Sequence, residues 1–114
     1  MSATVTQFAT GTFSPGNNSE SWTTVTTNPE TTAGIFTMLV DVSAMAAADV
    51  FEVRLRAKVV TGGSEQTVWD AALNGVPPNG MLVFPAFMLM HNWDLEMRQR
   101  AGTVRTYAWS VRQA

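Results

Sequence analysis

At 114 residues the chain has the length of one domain, and surface scaling gives roughly 6,000 Å² of accessible surface once folded, about a third of the unfolded value. Seven Lys and Arg against nine Asp and Glu leave a net charge of -2, with only 14% charged residues, so charge implies no strongly electrostatic partner. Cysteine is absent, which excludes a disulfide scaffold, a zinc-thiolate site and a thiol nucleophile.

The opening MSATVTQFAT has neither the basic region nor the apolar run of a secretory signal, so synthesis in a cytoplasm is expected. Residues 1–32 are rich in Thr and Ser, with Phe8, Phe13, Trp22 and Val25 as the anchors of any strands there. Ser14-Pro15-Gly16-Asn17-Asn18 is a turn cluster, because Pro fixes φ while Gly and Asn tolerate positive φ. Thr and Ser favour extended chain without dictating a core, so this segment reads as an arm or as first strands, ahead of a domain over 33–114.

AGIFTMLVDV, from residue 33, is a strand with apolar residues on both faces. Ser43 followed by an alanine-rich stretch to Asp49 predicts about one helical turn with Ser43 as its cap. The clearest element comes next. In VFEVRLRAKVV, Phe51, Val53, Leu55, Ala57 and Val59 alternate with Glu52, Arg54, Arg56 and Lys58, the pattern of a half-buried strand. A turn at Thr61-Gly62-Gly63-Ser64 returns the chain as EQTVWDAAL, and Asn74 to Gly80 is a loop by composition.

MLVFPAFMLM at 81–90 is too short for a bilayer and carries Pro85. A strictly alternating strand there would set Met81, Val83, Pro85, Phe87 and Leu89 against Leu82, Phe84, Ala86, Met88 and Met90, apolar on both faces. Pro85 cannot donate to a ladder, so the strand belongs at an edge or carries a bulge. An apolar edge needs cover, from the N-terminal segment or from another subunit. WDLEMRQRA then alternates again, Ala101-Gly102-Thr103 turns, and VRTYAWSVRQ closes with Tyr107, Trp109 and Val111 on one face. Seven or eight short strands with no stretch of helical period predict an all-β protein, an antiparallel β-sandwich of jelly-roll-like kind.

Catalytic and ligand chemistry find little footing. His91 is the single histidine, and one imidazole near Asp94 is no triad or metal set. Asp94 and Glu96 share a face with Arg98 and Arg100, which reads as a cross-charged solvent surface rather than a glycosidase pair. Arg98, Arg100, Arg105 and Arg112 interleave with Tyr107 and Trp109, yet an acidic domain with one lysine is poorly suited to nucleic acid. Trp22, Trp69, Trp93 and Trp109 fit core or interface anchors better than sugar platforms. Residues 1–50 have net charge -4 and the remainder +2, which chance or head-to-tail complementarity between copies would equally produce. The expectation is a protein with no catalytic residue, cofactor or metal.

Residues 33–112 resemble small virion proteins of tailed bacteriophages. The residues that carry the likeness are Asp41-Val42-Ser43 ending an apolar strand, Asp49 before a charged alternating strand, the Gly62-Gly63 turn, and Arg98-x-Arg100-Ala101-Gly102-Thr103-x-Arg105. The resemblance implies a capsid decoration or cement protein on the virion surface, with the major capsid protein and copies of itself as partners, and no nucleic acid or membrane. A tail or neck component, or a virion-displayed glycan-binding sandwich, is the alternative. The contacts are expected on Phe8, Phe13, Trp22, Met81, Leu82, Phe84, Phe87, Met88 and Met90.

Overall fold

The computed structural model describes residues 5–27, 30–90 and 92–114. Among the described residues nine strands form: β1 (Thr6–Phe13), β2 (Thr23–Thr24), β3 (Gly34–Asp41), β4 (Val50–Lys58), β5 (Glu65–Asn74), β6 (Met81–Val83), β7 (Phe87–Leu89), β8 (Asp94–Ala101) and β9 (Tyr107–Gln113). Sheet A runs β1-β9-β3-β6 with β7 also on β3, and sheet B runs β2-β8-β4-β5. Every pairing is antiparallel. Because β6 and β7 lie in line along β3, they act as one interrupted strand, which leaves four strands per sheet in a jelly-roll order. The accessible surface, 6228 Å², agrees with the scaling expectation.

The alternation explains the core. Phe51, Val53 and Leu55 from β4, Leu95 and Met97 from β8, with Trp93 just before it, and Tyr107, Trp109 and Val111 from β9 all point inward and are buried. Aromatic rings fill the space between the sheets: Tyr107 stacks on Phe51 at 4.1 Å and on Phe13 at 6.1 Å, while Phe36 meets Trp93 at 4.8 Å. Full burial of each such ring is worth about 1.5–3 kcal/mol.

Three local expectations change. The N-terminal segment is no detached arm: β1 is an edge strand of sheet A, Phe13 is buried, and Phe8 packs edge-on to Phe36 at 5.1 Å. No helical turn forms at 43–49. The chain makes two turns instead, with Ala48 at φ 72, and Asp41 rather than Ser43 caps, accepting from the Ser43 backbone N–H at 2.9 Å and hydroxyl at 2.6 Å.

The third change concerns residues 81–90. Leu39 pairs with Val83 but Phe36 pairs with Phe87, so Pro85 and Ala86 together stand opposite Thr37. That extra residue is a bulge, held by Phe84 N–H to Met38 O at 2.9 Å and by the Thr37 hydroxyl to Phe84 O at 2.7 Å. It flips the alternation. Leu82 and Phe84 face inward before it, and Phe87 and Leu89 after it, so the apolar inward set is continuous. The outward set becomes Met81, Val83, Met88 and Met90, replacing the two faces expected of a regular strand.

Candidate interaction surfaces

The outward side chains of the two sheets differ in kind. On sheet B, Glu52 lies opposite Arg98 and Arg54 opposite Glu96, and each pair closes at 2.6 Å. Arg100 reaches Glu20 at 3.1 Å and Glu52 at 3.6 Å. Trp22 lies across this ladder, with the guanidinium carbons of Arg54 and Arg98 at 4.2 and 4.1 Å from its ring centre. Cation–π contact of this kind contributes about 0.5–1 kcal/mol each and fixes the ring in place. The central charges of sheet B are therefore paired with one another.

One end of that charged face departs from this. Asp94 is outward by alternation yet only 2% exposed, and the Glu65 carboxyl lies beside it. Burial foremost, then Glu65 and Glu96, push Asp94 up to about 7 against the opposing pull of Arg56. Arg56 spends its Nη2 on the Glu65 backbone carbonyl at 2.9 Å, while its Nε, Glu65 Oε2 and Asp94 Oδ1 are buried without a hydrogen-bond partner. A proton held on Asp94 relieves the repulsion between the two carboxyls.

Sheet A is nearly uncharged on its outer side. Thr10 and Thr12 of β1, Ala108 and Ser110 of β9 and Thr37 of β3 alternate with inward residues, and Asp41 and Arg112 are the charged members on β3 and β9. Along the β3 edge the side chains turn apolar: Ile35 is 47% exposed, Met81 53%, Val83 56%, Met88 78% and Met90 62%. Ile35 and Met88 are register partners, as are Leu39 and Val83, so these side chains share one face. A groove of about 200 Å³ beside them is lined by Leu39, Asp41, Met81, Ser110 and Arg112 among others.

Of the residues expected at contacts, Met81, Met88 and Met90 stand on this surface. Phe13 and Phe84 do not; both are core, because their strands turn those positions inward. Phe8, Leu82 and Phe87 are half-buried against the core, and Trp22 belongs to the charged ladder of sheet B. Ile35, Leu39 and Val83 were missed, although the apolar residues on both sides of 34–41 were the signal for the first two. His91 lies outside the described residues.

Two of the remaining sequence motifs meet at one end of the sandwich. Asp49, 1% exposed, accepts from Ala46 N–H, Thr103 N–H and Arg105 Nε, each at 2.9 Å. Ala46 above all, and then Arg105 and Thr103, hold this carboxyl below its ordinary range in spite of burial. Gln99, also buried, donates to the Ala101 and Thr103 carbonyls and accepts from Arg105 N–H and the Tyr107 hydroxyl. Asp49 and the Arg98–Arg105 segment are thus the two halves of a single buried staple. Glu20–Arg100 and Asp49–Arg105 also pair the acidic half of the chain with the basic half inside one molecule.

Among the described residues, no three His, Cys, Asp or Glu are grouped to hold a metal, and no helix is long and apolar enough to cross a membrane. No protein-family model matches the chain, and neither does any curated protein or solved structure.

Proposed function

We propose that the chain is a non-enzymatic capsid decoration or cement protein of a tailed phage, docking on the major capsid protein through the outer side of sheet A. The observation that carries this reading is the contrast between the two outer surfaces. Sheet B pairs its central charges internally, as a solvated surface does. Sheet A presents Ile35, Met81, Val83 and Met88 together with hydroxyl-bearing and small residues, a composition suited to a modest, largely uncharged contact. Many such contacts acting together stiffen a shell without any single strong anchor.

The resemblance of residues 33–112 to phage virion proteins supplies the class of partner. Jelly rolls occur in both capsid and lectin domains, so architecture does not choose between the two readings. The tryptophans do not favour the glycan alternative: Trp93 and Trp109 are buried, Trp69 packs on Phe84 at 4.1 Å, and Trp22 is stacked by arginines.

Quantitative mass spectrometry of particles of the phage carrying the gene tests the reading. Copies comparable in number to the major capsid protein are expected. A few per particle would move the chain to the tail or neck, and none would overturn a virion role. The V83D/M88D variant should lose attachment while folding stability stays within about 1 kcal/mol, because both side chains already face solvent.

A further inference from the structure

Two Asn-Gly dipeptides bracket the loop between β5 and β6: Asn74-Gly75, where β5 ends, and Asn79-Gly80, just before β6 begins. An asparagine followed by glycine is open to attack on its own side-chain amide, because the next residue has no side chain to shield its nitrogen. Among the described residues, Asn17, Asn18 and Asn92 all precede residues that carry side chains. Both loop asparagines are exposed, so access to water does not distinguish them. Their backbone hydrogen bonds do.

The Gly75 N–H donates to Asp49 O at 2.8 Å. That bond fixes the peptide plane against the Asp49 backbone, so the Gly75 nitrogen reacts only after local opening. At Gly80 the accounting differs. One step beyond the Asp41–Met81 pair, the Val42 N–H donates to Gly80 O at 2.9 Å. A continuing antiparallel ladder would return a bond from the Gly80 N–H to Val42 O. That carbonyl accepts instead from the Met45 N–H at 3.1 Å, as the chain enters the 43–49 turns. Among the described residues no acceptor takes the Gly80 N–H. Gly80 is held through its carbonyl while its nitrogen stays free beside an exposed amide.

We infer that Asn79 is a site of spontaneous deamidation, and that Asn74, with the same dipeptide, is protected by the fold. Gly80 N attacks Asn79 Cγ, and the new N–Cγ bond closes a succinimide ring. The Cγ–Nδ2 bond breaks, and ammonia leaves carrying the proton that Gly80 N gave up. Water then opens the ring at either carbonyl to leave aspartate or isoaspartate, with no oxidant or reductant involved. Either product adds a negative charge to a notch that Asn79 lines with Val42, Leu73, Met81 and Leu82. Isoaspartate also adds a methylene to the backbone where it enters β6.

The chemistry needs no capsid, and the full chain tests it, folded and in urea. After incubation in mildly alkaline water labelled with oxygen-18, peptide mass spectrometry reads the labelled acid at each position. In the folded chain Asn79 should convert roughly tenfold faster than Asn74, the factor that one backbone hydrogen bond left unmade is worth. In urea the two rates should draw together. N79Q should remove the acidic species that ion exchange resolves on ageing, with an unchanged melting curve. Equal rates in the folded chain, a faster Asn74, or no conversion at either position would overturn the inference. So would a gap that persists unchanged in urea, since local sequence and not the fold would then set it.

Discussion

Two buried carboxylates on the same scaffold are driven in opposite directions. Asp49 receives three donors, so its charged form is favoured; Asp94 faces another carboxyl and little water, so its neutral form is favoured. Asp49→Ala should cost about 3 kcal/mol in denaturant unfolding, since three polar groups lose a charged acceptor. Gly102→Ala should be damaging as well. Gly102 has φ 90, and an added Cβ would lie on the Asp49 carboxylate and within 2.5 Å of its Cα; a cost of at least about 2 kcal/mol is expected.

The pH response follows from the signs. Asp94, raised from 3.8 to about 7, holds a proton when folded that it releases when unfolded, so stability falls as pH rises through that window. Asp49 and Asp41, both lowered, contribute stability that is lost as pH falls below the ordinary carboxylate range. The melting temperature should thus peak in mild acid. Asp94→Asn should flatten the alkaline side of that peak and exceed the wild type at pH 8 by on the order of 1–3 kcal/mol. A melting temperature that climbs steadily from mild acid to pH 8 would refute a protonated Asp94 in the folded state.

Among the elements, those with strict alternation were legible from sequence. Residues 50–58 and 107–113 took the faces their patterns demanded, because a period of two has one solution once one face is buried. Residues 81–90 did not, because a bulge adds a residue that no periodicity announces. Pro85 pointed to an irregular edge but not to which side each later residue would take. Removing Ala86 takes away the extra residue and keeps Phe87 and Leu89 inward, so it should cost less than about 1 kcal/mol. Removing Met88 turns Leu89 outward and should cost about 2–3 kcal/mol. Thermal melts of the two single-residue deletions compare them directly. The Thr-rich start was illegible for a different reason: hydroxyl side chains suit either face of an edge strand, and only contact with β9 settles the choice. Asp94 was hidden by the same alternation that revealed its neighbours, since its polar-side position gave no sign of burial.

At the scale of the molecule, the sandwich divides its labour between its surfaces. One end is tied by Asp49 and Gln99, one outer side is closed electrostatically, and the other is left neutral with its apolar residues grouped along an edge. The charge asymmetry along the chain, which would have suited contacts between copies, is partly spent within one copy through Glu20–Arg100 and Asp49–Arg105. The outer side of sheet A thus offers a partner shape and apolar area more than charge.

The interruption at Pro85 also limits how far copies can propagate. A sheet with two adhesive rims polymerises, since each added copy exposes a fresh rim like the one just covered. Here the rim opposite β1 is cut into two three-residue pieces by a residue without an N–H. β1 is thus the one uninterrupted rim of sheet A, and a strand added there would find no like rim on the far side from which the sheet could continue.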